Sequence, residues 1–346
     1  MGNAGSMMRD EGRRPKTLKD VSRASGVSLI TVSRALRQPE SVQPETRERI
    51  LRAIREIGYV PNLTARSLVS SRSGMVGLVV PMLSNSLFAD LAQGCASVLR
   101  EAGLQMLLGV SMRDIRSEAE AVRTFIGRQA DAIIVTGFTH SDECRALLRG
   151  YAGPVVETWN LRDDRIDSAV GYDNHAAAVA MTRFLIERGY RRIAVVGGEF
   201  ANNDQAIDRY AGFRATMREA GLPVADEHVV SVPTPTTMAD GRNALIRLMS
   251  GPNPPDAIFF QAEIPAHGAM LECLARGIAV PGDVAIVGFG DLTLSSLLPT
   301  PLTTIRVRSF EIGTRAAQLV VDRLNGTATG GRVVDVGFEL VVRQSA

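Results

Sequence analysis

From Met75 onward the chain alternates short unbroken apolar runs with amphipathic stretches of helical period. Met75 to Val80, Leu104 to Val110, Ala132 to Thr136, Ile193 to Gly197, Ala257 to Phe260 and Val284 to Phe289 read as strands. Between them, Phe88 to Ala102 and the segments 116–129, 175–188, 206–220, 236–249 and 265–276 read as helices. Strands that are apolar throughout, not alternately, belong to parallel sheets covered on both faces. About 270 residues of this pattern accommodate two doubly wound subdomains, with ligands expected beyond the C-terminal ends of the strands.

The first 74 residues follow a different pattern. Thr17 and Asp20 stand at capping-box spacing ahead of one short helix, Gly26 permits a turn, and Ser28 caps a second helix. Val21, Ala24, Val27, Val32 and Leu36 provide a small shared core, leaving Leu29, Ile30, Thr31, Ser33 and Arg34 outside. A short helix with a polar and basic outer face, held by a partner helix across a glycine turn, describes a reader of the DNA major groove. Pro44 opens a third helix carrying Ile50, Leu51, Ile54 and Ile57, and Gly58 ends it. The segment Tyr59 to Val69 follows as a helix of about two turns, too short to be stable alone in water.

The stretches DVSRASGVSLITVSRAL, TRERI and GYVPNLTARSL resemble the DNA-binding region of the lactose-repressor family of bacterial transcription regulators. Beyond residue 74, GLVVPMLSNSLFADLAQG, DRYAGFRATMREAG and ARGIAVPGDVAIVGFGD resemble the same family's core, which is similar to periplasmic sugar-binding proteins. The resemblance implies an all-α helix-turn-helix domain with a hinge helix, joined to an α/β core of two doubly wound parallel-sheet subdomains. The expected divisions are an N-terminal extension 1–16, a DNA-binding domain 17–60, a hinge and linker 61–73, and a core 74–346. Chain crossings near 173, 303 and 332 would give an N-subdomain of about 74–173 and 304–332 and a C-subdomain of about 174–303 and 333–346. The hinge motif implies that Asn62, Ala65 and Leu68 join the DNA contact, Leu68 as an apolar wedge in the minor groove of a pseudo-palindromic operator.

Charge agrees with that division. Residues 1–72 carry fourteen Lys and Arg against seven Asp and Glu, net +7, whereas the remainder is −5 in a chain of net +2. A basic head held apart from an acidic remainder suits phosphate contact.

For the effector, the resemblance carries over Asn85, Phe88, Trp159, Asp173, Asn203, Arg209, Gln261 and Asp291. Phe88 and Trp159 offer flat faces for a carbon skeleton, and the planar fork of Arg209 suits a carboxylate. Gly290 and Ala262-Glu263 depart from the pattern of many sugar-responsive members, which carry Asp and Asn-Asp there. Losing a carboxylate at 290 removes repulsion against an anion, so a sugar acid is favoured. AVGYDNHAAAVAMTRFLIERGYRRIAVVGG and PVVETWN look most like the gluconate-repressor branch.

Enzymatic chemistry finds no support. His140, His175, His228 and His267 lack zinc spacing, no P-loop or nucleophile elbow occurs, and Glu263 with His267 at i, i+4 suits a packing or pocket contact. Cys95, Cys144 and Cys273 are widely spaced and read as reduced packing residues, so neither metal nor cofactor is expected. No apolar run reaches the roughly 18–20 residues of a membrane span, and the cytoplasm is the default location. The expectation is a homodimeric, effector-responsive repressor. An activator of the same architecture and a ligand-binding receptor without a DNA role remain its alternatives.

Overall fold

The computed structural model describes residues 14, 16–60, 72–198 and 203–346. The chain divides into two compact units, Met1–Ser71 and Arg72–Ala346. Asn62, Ala65 and Leu68 lie outside the described residues.

In the first unit, α1 (Leu18–Ser25), α2 (Leu29–Arg37) and α3 (Pro44–Ile57) enclose Val21, Val27, Val32, Ala35, Ile50 and Tyr59. Ala24, expected inside, is exposed. Ser25, four residues on from Val21, takes the buried place, because positions i and i+4 share a helix face. Gly26 and Gly58 end α1 and α3 at φ +65, a conformation with no steric penalty for glycine.

The second unit follows the alternation read from the sequence. In chain order come β1 (Met75–Val80), α4 (Ser86–Glu101), β2 (Gln105–Val110), α5 (Ile115–Gly127), β3 (Ala132–Thr136), α6 (Asp142–Gly150), β4 (Val155–Thr158) and β5 (Ser168–Gly171). The chain then builds α7 (Asn174–Glu187), β6 (Ile193–Gly198), α8 (Asp204–Glu219), β7 (Val229–Val232), α9 (Met238–Met249), β8 (Ala257–Phe260) and α10 (Glu263–Arg276). It continues through β9 (Ala285–Gly290), α11 (Thr293–Leu297) and β10 (Thr303–Val307), and closes with α12 (Ser309–Leu324), β11 (Val333–Asp335) and β12 (Phe338–Val341).

Two six-stranded sheets result, ordered β11-β5-β4-β3-β1-β2 and β12-β10-β9-β8-β6-β7. All pairings are parallel except β12 with β10. Strand order reverses around β1 in the first sheet and β6 in the second, which places a crevice beyond the C-terminal ends of both.

Two of the expected chain crossings move. β10 still belongs to the second sheet, so the second crossing follows Val307 and not residue 303. β11 pairs with β5, which delays the third crossing from 332 to the link between Asp335 and Phe338. Short terminal strands are hard to place by pattern, because three to five residues do not complete a recognisable period.

Candidate functional site

The first unit presents its second helix outward. The backbone N–H and hydroxyl of Thr17 both donate to Asp20 Oδ2, at 2.9 and 2.8 Å, closing the start of α1. These hydrogen bonds hold the Asp20 carboxyl below its usual range. Ser28 Oγ accepts from the Thr31 backbone N–H at 3.2 Å and fixes the start of α2.

Burial of Val32 and Ala35 on one face leaves Leu29 40% and Ile30 73% exposed, with Arg34 also exposed. An open groove of about 920 Å³ runs along this face, lined by Arg14, Lys19, Leu29, Ile30, Ser33 and Arg34 among others. Thr31 is not part of the groove; its hydroxyl sits 2.8 Å from Ser28 Oγ in the cap. Arg14 and Lys19 were not foreseen as site residues. Their only sequence signal is positive charge beside the first cap.

The second unit contains a narrow cleft between its two sheets. Six of the eight expected effector residues line it: Asn85, Phe88, Trp159, Asn203, Arg209 and Gln261. Each lies beyond the C-terminal end of a strand or in the first two turns of the helix that follows. Phe88 and Trp159 meet with ring centroids 5.0 Å apart. Arg209 lies 4.6 Å over the Phe289 ring and donates to Asn174 Oδ1 at 2.6 Å.

The other two expected residues have different roles. Asp173 is exposed and caps α7, accepting from the Ala176 N–H at 2.8 Å. Asp291 accepts from Arg306 at 2.7 Å and Arg343 at 2.6 Å, so its carboxylate is neutralised away from the cleft. Arg343 comes from the last residues of the chain, and that long-range pairing has no local signature.

Sequence reasoning also missed Arg113 and Gln205, which stand 3.4 Å apart across the cleft. Burial first, then the charge of Arg209, pulls Arg113 down to about 10. Burial likewise lowers Arg209. Two guanidiniums therefore share a poorly solvated space. The acidic neighbour Asp204 is already committed to the Phe138 N–H at 3.1 Å and Asn160 Nδ2 at 2.8 Å. Trp159 Nε1, Gln205 Nε2, Arg209 Nε and both amide atoms of Gln261 are buried without a hydrogen-bond partner among the described residues. Unpaired buried polar atoms cost about 1–3 kcal/mol each, so their convergence in one cleft marks a place for a polar ligand.

Behind the cleft, Glu263 and His267 meet through Ser295. The Ser295 hydroxyl donates to Glu263, Thr304 Oγ1 donates to the other carboxylate oxygen at 2.7 Å, and His267 Nε2 lies 2.7 Å from Ser295 Oγ. Burial pushes Glu263 up to about 7 and His267 down to about 4. Neither lines the cleft, so this is a buried relay and not an acid–base pair facing substrate. The raised carboxyl has a consequence for stability. Its contribution is fully present below the unfolded value of 4.5 and is lost as pH rises through about 7. Over that window the wild type should lose about 3 kcal/mol relative to Glu263→Gln. Urea denaturation at pH 5 and pH 8 measures the difference, and parallel pH slopes for the two proteins would exclude the effect.

Comparison with known proteins identifies the family of both parts of the chain. Residues 17–62 match the model of bacterial regulatory proteins of the lacI family, and residues 182–346 match a periplasmic binding protein-like domain. The chain belongs to the lacI family of bacterial regulatory proteins.

The HTH-type transcriptional regulator GntR of Pseudomonas aeruginosa is 33% identical over 95% of this chain and 95% of its own length. The regulator IdnR of Escherichia coli is 31% identical over 94% of this chain and 96% of its own. A crystal structure of a LacI-family regulator from Silicibacter pomeroyi superposes with a TM-score of 0.89 at 30% identity, covering 96% and 99% of the two chains. The protein is thus a DNA-binding transcriptional regulator with an effector-binding core, and not an enzyme. No helix among the described residues is long and apolar enough to cross a membrane.

Proposed function

We propose that this regulator is a cytoplasmic, homodimeric repressor whose operator affinity is lowered by a small polyhydroxy carboxylate of the gluconate or ketogluconate type. The observation that carries the effector class is the pair of buried guanidiniums, Arg113 and Arg209, beside unpaired donors and acceptors in one cleft. A carboxylate offsets the mutual repulsion of two cations, which a neutral sugar leaves unanswered. Trp159 and Phe88 would hold the carbon skeleton, and Asn85, Asn203 and Gln261 the hydroxyls. Full-length similarity to regulators named GntR and IdnR supports this reading. Calorimetric titration with gluconate, 2-ketogluconate and glucose tests it. Glucose binding as tightly as the acids would overturn the sugar-acid assignment.

On the DNA side, Arg34 is assigned a base-edge contact in the major groove, with Leu29 and Ile30 selecting by apolar contact. Thr31 and Ser33 are assigned to phosphates, and Asn62, Ala65 and Leu68 to the hinge contact that the sequence motif implies. Arg34→Ala should cost about 1–3 kcal/mol of operator affinity and relax preference at one base pair of each half-site. Fluorescence anisotropy on single-substitution operators reads this out. Uniform weakening on every operator would make Arg34 a phosphate contact instead. A reporter with the operator moved upstream or downstream of a promoter separates repression from activation.

The core should respond by population shift. An acid that binds the closed cleft more tightly than an open one favours closure, and equal affinity for both would shift nothing. Asp204 and Asp208 on α8 already bind Asn160 Nδ2 at 2.8 and 2.7 Å, and Arg162 pairs with Asp208 at 2.6 Å. These contacts join the two subdomains on one side of the cleft and define a state that a ligand can stabilise.

A further inference from the structure

The flank of the first sheet encloses a second polar cluster, separate from the residues assigned to the effector. Glu118 lies on α5, His140 in the turn before α6, Cys144 on the first turn of α6, and Glu157 on β4. All four are buried. A carboxylate oxygen of Glu118, a ring nitrogen of His140 and Cys144 Sγ lie within 4.8 Å of one another. His140 Nδ1 is 2.9 Å from Glu118 Oε2. The opposite ring nitrogen, Nε2, is 3.4 Å from Glu157 Oε1, close but not aligned as a hydrogen bond. The other Glu157 oxygen accepts from the Ile166 backbone N–H.

We propose that Glu118, His140 and Cys144 form a binding site for one divalent transition-metal ion, with Zn²⁺ the best match, and that Glu157 orients the histidine. Imidazole nitrogen, thiolate sulfur and carboxylate oxygen are the three protein donors that zinc takes in tetrahedral sites. Bonds of roughly 2.0–2.3 Å set neighbouring donors about 3.3–3.8 Å apart. The donor atoms here lie within 4.8 Å of one another, with His140 Nδ1 and Glu118 Oε2 at 2.9 Å, so the three bracket that spacing. Sulfur and nitrogen donors disfavour Ca²⁺ and Mg²⁺, which select oxygen.

The arrangement around His140 points the same way. A metal-bound histidine commonly donates its second ring N–H to a carboxylate, which fixes tautomer and ring orientation. Glu157 is placed for that role once Nδ1 binds the ion, and the backbone N–H of Ile166 holds Glu157 in turn. A small polar pocket of about 30 Å³, lined by Ser111, Asp114, Thr136 and Thr139 among others, adjoins Glu118. It reaches Glu118 but neither His140 nor Cys144, and has room for a water beside that carboxylate. Bound metal would tie α5, the entry to α6 and, through Glu157, β4 into one unit.

The competing arrangement is an imidazolium held between two carboxylates, with Cys144 only filling space. The two differ in what the sulfur does. Full-length protein stripped with dipicolinic acid should take up one Zn²⁺ per protomer at micromolar concentration. In the Co²⁺-loaded protein a near-ultraviolet sulfur-to-cobalt band should appear and vanish in Cys144→Ser. Glu157→Gln should keep the band and weaken affinity about 10- to 100-fold. Failure of the wild type to take up stoichiometric metal, a cobalt complex without the sulfur band, or a band that survives Cys144→Ser would each overturn the proposal. The wild-type cobalt spectrum decides the question even if a variant fails to fold.

Discussion

Arg209→Ala is expected to remove sugar-acid binding almost completely. The guanidinium is buried, stacks on Phe289 and spends one N–H on Asn174, while its Nε points at no partner. Truncating a desolvated charge partner costs about 2–5 kcal/mol, roughly 30- to 4000-fold in Kd. Arg209→Lys should fail nearly as badly, because a point charge cannot reproduce the planar fork on a carboxylate. Arg113→Ala should do less, since Arg113 already engages Gln205 across the cleft. Calorimetry with gluconate on the three variants gives the order. Unchanged acid affinity in Arg209→Ala would transfer the carboxylate to another residue. Operator binding by Arg209→Ala without effector should stay near wild type, because residues 17–62, which match the lacI regulatory-protein model, belong to the other unit.

A large loss of stability is expected from Gly268→Ala. Gly268 on α10 and Gly241 on α9 lie where the two helices cross. A Cβ on Gly268 would stand 1.9 Å from the Met238 carbonyl oxygen, and one on Gly241 would stand 1.7 Å from that of Pro265. The obstacles are backbone atoms, so the helices must separate by more than an ångström. That opens the packing of Leu245, Leu248, Ala266 and Ala269 against the second sheet. Overpacking of this kind costs about 3 kcal/mol or more, which lowers Tm by about 6–12 °C in a domain of this size. Gly127→Ala is the matched control, because a Cβ there meets nothing within 4 Å. A Gly268→Ala core that melts with the wild type would show that the helix pair tolerates wider spacing.

The parts of this protein legible in the sequence are those held by local interactions. Thr17 and Asp20 sit three residues apart, as do Ser28 and Thr31, and their hydrogen bonds form within one helical turn. The paired helices of the DNA-reading unit, and the exposure of Ile30 and Arg34, follow from such contacts and from helical period. The long strands were legible for a related reason. A parallel strand covered on both faces is apolar at every position, so Met75–Val80 and Ala257–Phe260 stand out without knowledge of their neighbours.

Tertiary structure decided which polar side chains meet. Asp291 looked like a ligand residue, yet strand pairing brings Arg306 and Arg343 to it and neutralises it. Arg113 carried no motif, yet the turn after β2 delivers it beside Arg209 and Gln205. His140 and Cys144 stand four residues apart, but Glu118 and Glu157 reach them from α5 and β4, so the cluster as a whole has no local signature. Local hydrogen bonds form at fixed sequence offsets, whereas these encounters depend on strand order and loop closure, which many sequences satisfy with different residues. The helix-turn-helix unit is therefore written in consecutive residues, whereas the polar clusters of the core come together only when the sheets assemble.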